Sequence, residues 1–233
     1  MDLNKKIIIT GASGGLGEIL TGRLAQQGAT IAAIARSSDK LKNLQTESKS
    51  QPGIIEIFPA DVTTPAQVKT IFISILEKFK QIDALVHLTG GFAGGKFIAE
   101  TDDVMWREML DVNLNSAFYC CREAMTIMSE QKCGKIITIS AAAALHPKAK
   151  RAAYTVAKAG VIALTRTLAE EGKMVNVQAN CIAPGIILTA ANQIAMPDAD
   201  TAQWVRPEQI AATIAFLCSA QADAITGTVI EMP

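Results

Sequence analysis

Seven short apolar runs, spaced by longer stretches of helical periodicity, limit what this chain can fold into more than any other feature. The runs are KIIIT (6–10), TIAAIA (30–35), IIEIF (54–58), ALVHL (84–88), KIITIS (135–140), VNVQANCI (175–182) and GTVIEM (227–232). Each is nearly continuous in apolar residues rather than alternating. Such runs predict strands buried on both faces, as in a parallel sheet covered by helices. Helices are expected to begin near Gly15, Asp39, Pro65, Asp102, Lys150 and Pro207. Right-handed crossovers turn this alternation into a doubly wound α/β sandwich of about seven strands, with helices on both faces. At 233 residues, one domain spanning 1–233 is expected rather than two small ones. The longest stretch without a period begins at Gly185, and a substrate lid is expected over 185–206.

The composition removes several classes of function. With 22 basic and 22 acidic residues there is no basic footprint for nucleic acid and no polybasic membrane anchor. No segment is long and apolar enough to suggest a membrane span, and the N-terminal apolar run is too short for a signal sequence. Cys120, Cys121, Cys133, Cys181 and Cys218 form no C-x-x-C pair and read as reduced thiols of a cytoplasmic protein. Two histidines, His87 and His146, at unrelated positions give no pattern for a metal, so none is expected.

The turn after the first run carries Gly11, Gly15 and Gly17 in IIITGASGGLGEIL. A strand before it and a helix after it make a place where backbone amides meet a pyrophosphate at the positive end of a helix. Where a carboxylate would bind the ribose hydroxyls of NAD, at the end of the second strand, the chain has Ala35-Arg36-Ser37. A guanidinium there suits a 2′-phosphate, so NADP(H) is the expected cofactor, with NAD(H) also possible. Asp61, after the third strand, is expected either to edge the adenine or to belong to the cap of the next helix.

Together these motifs, with Asn113 in MLDVNLNSAF, Tyr154-x-x-x-Lys158 and Pro184-Gly185 followed by Thr189, resemble the short-chain dehydrogenase/reductase family over essentially the whole chain. The resemblance implies a single Rossmann-type domain. It also implies cofactor contacts from Thr10, Gly11, Ser13, Gly15, Leu16, Gly17, Arg36, Asp61, Val62, Gly90, Pro184, Gly185, Ile187 and Thr189, as well as from Tyr154 and Lys158. Tyr154 and Lys158, four apart, share one helix face. An adjacent ammonium would lower a phenol from its usual ~10 and make it a competent acid or base. Asn113 would anchor a water that relays protons to Lys158.

The departures from the family pattern matter as much. Its catalytic serine falls thirteen positions before the tyrosine, on Ala141, while Ser140 is one residue early and on the opposite face of an extended strand. Ser140 therefore stays a candidate catalytic residue only if it can compensate. The usual N-N-A-G is His87-Leu88-Thr89-Gly90, followed by GFAGG. That segment, with AMPDADTAQW (195–204), resembles the dihydropteridine reductases, a branch with alanine at the serine position and a conjugated quinonoid pterin as substrate. Phe92, Met196 and Trp204 would then line a small-molecule pocket, or else pack the lid onto the body. The expectation is an NADPH-dependent reductase of a carbonyl or pterin-like quinonoid compound. A 3-oxoacyl thioester reductase and a cofactor-binding sensor with little turnover are the alternatives. A homo-oligomer is expected, and dimer and tetramer both stay open.

Overall fold

Strand order in the sheet is β3-β2-β1-β4-β5-β6-β7, all parallel. The protein is described by a computed structural model covering residues 4–233. In chain order the elements are β1 (Lys6–Thr10), α1 (Gly15–Gln26), β2 (Thr30–Ala35), α2 (Ser38–Glu47), β3 (Ile54–Pro59), α3 (Pro65–Phe79) and β4 (Ala84–His87). Then come α4 (Asp103–Leu110), α5 (Ser116–Gln131), β5 (Gly134–Ile139), the single turn α6 (Ala142–Leu145) and α7 (Ala152–Gly172). β6 (Val177–Pro184), α8 (Ala190–Ala195), α9 (Pro207–Cys218) and β7 (Val229–Met232) complete the fold. The seven expected strands are all present, and the doubly wound Rossmann-type sheet is the architecture the apolar runs anticipate.

The continuous apolar runs arise because each strand supplies both layers. In β1, Ile7 and Ile9 face the layer made with Leu20, Leu24, Ile210 and Ile214 of α1 and α9. Ile8 faces the other, with Phe72 and Ile75 of α3 and Cys121 and Met128 of α5. Burying one such side chain fully contributes about 1.5–3 kcal/mol, so the alternation fixes strand register strongly. Among the described residues no helix is long and apolar enough to cross a membrane.

Two local features were not readable from periodicity. The helical pattern starting near Asp102 is broken between α4 and α5 by a π-helical turn, Asp111–Asn115, which carries Asn113. The stretch 185–206 is also not featureless. Thr189 Oγ1 accepts the Asn192 amide to cap α8, and Ile187 and Val205 form a parallel bridge that closes the base of the segment.

The order of the strands reverses between β1 and β4, where Thr10 and His87 are register partners. In open α/β sheets ligands bind beyond the carboxyl ends of the strands at such a reversal. The residues singled out by sequence gather beyond this end of the sheet.

Candidate active site

The turn after β1 is shaped to receive an anion. Gly11 has φ +67°, in the left-handed region that favours glycine, and the Gly14 amide donates to Gly11 O at 3.0 Å. A β-carbon on Gly17 would collide with Gly11 O, so only glycine lets the helix start this close to the turn. Gly14 caps α1 without a side-chain acceptor. The first-turn amides of Gly15, Leu16 and Gly17 thus have no intrahelical partner and suit a pyrophosphate. Ser13 is half-buried beside them, and Thr189 lies over Gly15, 3.0 Å from where a β-carbon would stand. These residues fit a dinucleotide.

At the end of β2 Arg36 is exposed. Asp61 Oδ1 accepts the Thr63 amide at 2.9 Å and the Thr63 hydroxyl at 2.8 Å, and the Thr63 amide leads in holding the carboxyl below its usual range. Asp61 thereby shapes the turn into α3, whose cap is Thr64. The Val62 side chain is in the core, leaving only its backbone to face a ligand. Pro184 ends β6, and the Gly185 amide donates to Met232 O at 2.7 Å, which anchors the start of the 185–206 segment to β7. Ile187, half-buried, continues that segment through the Val205 bridge.

Three candidate groups are brought together. Asn113, fully buried, donates from Nδ2 to Gly91 O and Met109 O, both at 3.0 Å, and its Oδ1 accepts the Gly91 amide at 3.1 Å. The π turn thereby presents a side-chain carbonyl inward. A methyl on Gly90 would stand 2.9 Å from Asn113 Oδ1 and 3.1 Å from Lys158 Nζ, so both polar atoms converge on one point. Lys158 donates to Ile139 O at 2.9 Å and lies 6.0 Å from the centroid of the Tyr154 ring, one helical turn away on α7. Burial pushes Lys158 down to about 8.

The charge relation within the pair differs from expectation. Burial raises the Tyr154 phenol, and the cation that pulls it back down is Arg151 rather than Lys158. The Lys158 ammonium is turned towards the end of β5 by its bond to Ile139 O.

Ser140 also needs correction as a candidate catalytic hydroxyl. It is 2% exposed, and its Oγ donates to Lys158 O at 2.7 Å. It therefore ties β5 to α7 and positions the lysine's backbone. Thr138 is no substitute, since its hydroxyl pairs with Thr165 at 2.7 Å. Ala141, next along, caps α6 in an extended conformation with only a methyl to offer.

His87, where the family pattern has asparagine, is the centre of a buried network that sequence reasoning missed. Ser116 Oγ donates to Val112 O at 2.7 Å and so accepts from His87 Nε2 at 3.2 Å. His87 Nδ1 then accepts from Thr10 Oγ1 at 3.0 Å, and Thr10 Oγ1 faces the Thr89 amide at 3.4 Å. Burial, aided by Lys158, lowers His87 to about 3, so the imidazole is neutral. The network joins the ends of β1 and β4 to the π turn bearing Asn113.

The candidate pocket residues separate. Phe92 is 60% exposed and meets the Tyr154 ring edge to face, with centroids 5.0 Å apart at 84°. Trp204 is 8% exposed, next in the chain to Val205 of the Ile187–Val205 bridge. Met196 sits half-buried at the end of α8. A further residue, Arg151, lies with its guanidinium carbon 5.6 Å from the Phe92 centroid. Its signal in the sequence was the run HPKAKR directly before the tyrosine helix.

Comparison with known proteins adds relatives along the full length. The family profile described as short chain dehydrogenase matches residues 5–200. A 3-oxoacyl-(acyl-carrier-protein) reductase of Thermotoga maritima is 30% identical over 234 residues, covering 97% of this chain and 95% of the relative. The structure of a short-chain type dehydrogenase/reductase from Mycobacterium ulcerans superposes with a TM-score of 0.93 at 26% identity, covering 98% of this chain and 88% of the other. ElxO with NADP bound superposes with a TM-score of 0.92 at 25% identity, covering 98% and 97%.

Proposed function

This chain belongs to the short-chain dehydrogenase family of NAD(P)-dependent oxidoreductases, and we propose that it acts as an NADPH-dependent reductase of a small carbonyl or conjugated quinonoid compound. The observation that carries this reading is the convergence of Asn113 Oδ1 and Lys158 Nζ on one point, one helical turn from Tyr154. When bound, the nicotinamide supplies hydride. The first-turn amides of α1 would hold the pyrophosphate, and Arg36 would take the 2′-phosphate. Tyr154, raised by burial, is a protonated phenol at neutral pH and suits proton donation to the product oxygen or a conjugated heteroatom. Lys158, near 8, is mostly protonated at neutral pH and would return a proton along the Asn113 side.

Ala141 favours substrates that do not need a hydroxyl on the reacting oxygen, which keeps the quinonoid pterin within the reading. The Thermotoga relative favours a second, a 3-oxoacyl thioester reductase. The 185–206 segment would serve as the substrate lid, hinged at the Ile187–Val205 bridge with Ile194 81% exposed on its outer part. The exposed Trp106, Phe118 and Val156 on α4, α5 and α7 support pairing with further copies of the chain.

The test is NADPH consumption with a quinonoid dihydropterin, a 3-oxoacyl thioester and simple ketones, each repeated with NADH. Tyr154→Phe is expected to lower turnover by about 10²–10⁴-fold while sparing NADPH affinity. Equal turnover in that variant would remove Tyr154 as the acid. Tight NADPH binding with no turnover of any substrate would favour a sensor.

A further inference from the structure

We propose that Arg151 determines specificity and that the substrate is a short oxo acid, its carboxylate held by the Arg151 guanidinium while its carbonyl meets Tyr154. The inference rests on the reductase reading and narrows it. Arg151 stands three residues before Tyr154, at the entry to α7. Both flank the same aromatic ring, the guanidinium carbon 5.6 Å from the Phe92 centroid and the phenol ring 5.0 Å away, edge to face. Because both lie against one phenyl ring, a ligand with a polar group at each end of a short chain can reach both.

The charge around the site points the same way. The chain as a whole is neutral, yet 146–151 reads HPKAKR without an acid. His146 has a partner, Glu231 Oε1 at 2.7 Å, and so does Lys96 on the facing loop, Asp102 Oδ2 at 2.7 Å. Among the described residues Arg151 has no carboxylate within ion-pair reach, and neither do Lys148 and Lys150. The backbone that leads into Arg151 is nevertheless braced. Lys150 has φ +65°, a conformation that a non-glycine residue adopts only under local constraint, and its carbonyl accepts the Gly95 amide at 2.8 Å. Lys150 Nζ lies 4.6 Å from the Phe97 centroid, so the 91–97 loop and the approach to α7 brace each other.

A planar fork of donors matches a carboxylate in two parallel bonds, which a single ammonium does not. The same cation lowers the Tyr154 phenol, so its field reaches the reacting group. With only a methyl at Ala141, a bidentate clamp on the substrate's far end would do the orienting that a hydroxyl does elsewhere.

The first test is binding, independent of turnover. Calorimetry on the protein loaded with NADP⁺ would compare pentanoate with pentanamide. Pentanoate is expected to bind at least tenfold more tightly, Arg151→Ala to abolish that preference and Arg151→Lys to keep part of it. NADP⁺ affinity measured on the same samples reports that each variant is folded. Equal affinity for acid and amide, or a preference that survives Arg151→Ala, would overturn the proposal. The second test is reduction of 2-, 3- and 4-oxopentanoate against their methyl esters, with KM for at least one acid expected tenfold or more below that of its ester. Tyr154-dependent reduction without an acid preference would overturn the oxo-acid assignment and leave the reductase reading standing. Arg151-dependent binding of pentanoate with no reduction of any oxo compound would support the clamp and overturn the reductase reading.

Discussion

Replacing His87 with asparagine should change how the fold responds to acid more than it changes the fold. The wild-type imidazole is neutral in the folded protein because burial, aided by the Lys158 charge, disfavours its protonated form, and the neutral ring donates Nε2–H to Ser116 and accepts at Nδ1 from Thr10. Its folded value is about 3, against 6.5 for an ordinary histidine. Between those values the unfolded chain binds a proton that the folded chain refuses, so stability falls as pH is lowered through that window. Going from pH 7.5 to pH 5 crosses about 1.5 units of it, and at 1.36 kcal/mol per unit the loss is about 2 kcal/mol. Asparagine does not titrate, so His87→Asn lacks this slope, while contributions common to the two proteins cancel. At pH 7.5 the variant should be the less stable by about 1–3 kcal/mol, because the shorter side chain cannot reach both Thr10 and Ser116. The two stabilities should therefore converge near pH 5. Urea unfolding followed by circular dichroism at pH 7.5, 6 and 5 reads this directly. Parallel curves across the range would show that His87 is not the buried neutral link assigned to it.

The cofactor and the proton path give two further expectations. Arg36→Ala should weaken NADPH about 10-fold or more, the scale of a hydrogen bond to a charged group, and leave NADH within about twofold; an equal effect on both in fluorescence titrations would show that Arg36 does not read the 2′-phosphate. Gly90→Ala places a methyl 2.9 Å from Asn113 Oδ1 and 3.1 Å from Lys158 Nζ, and should lower kcat about 10²-fold with little change in NADPH affinity. An unchanged kcat would remove that point of convergence from the proton path.

What sequence could supply was set by the physics of each signal. Strands buried on both faces leave unbroken apolar runs, so β1 and β2 were readable to the residue. The glycine turn was legible because steric exclusion at Gly17 admits one residue type. The π turn was not, since one extra residue per turn barely disturbs a hydrophobic period; the hint was Asn113 itself, a polar residue at the centre of an apolar helix pattern. Ser140 could be placed on the wrong face of its strand but not assigned its partner, because the bond to Lys158 O crosses between elements. His87 stood out as a departure from the family pattern, but its bonding was not readable, since its partners Thr10 and Ser116 lie 77 and 29 positions away.

The same separation of elements bears on what the site can reduce. Ser140, Thr138 and Ala141 all withhold a hydroxyl from the reacting oxygen, the first two through their bonds and the third through its chemistry. Loss of one such donor costs about 2.7–4 kcal/mol of transition-state stabilisation. A charge-assisted pair to Arg151 contributes about 1.5–3 kcal/mol, comparable but smaller, and acts on orientation rather than on the developing charge. On the proposed reading an oxo acid therefore recovers part of the rate, whereas a neutral ketone, lacking both interactions, is a poor substrate. Activity measured only with neutral ketones would understate this enzyme, and the acid–ester comparison separates an enzyme that is weak from one offered the wrong charge.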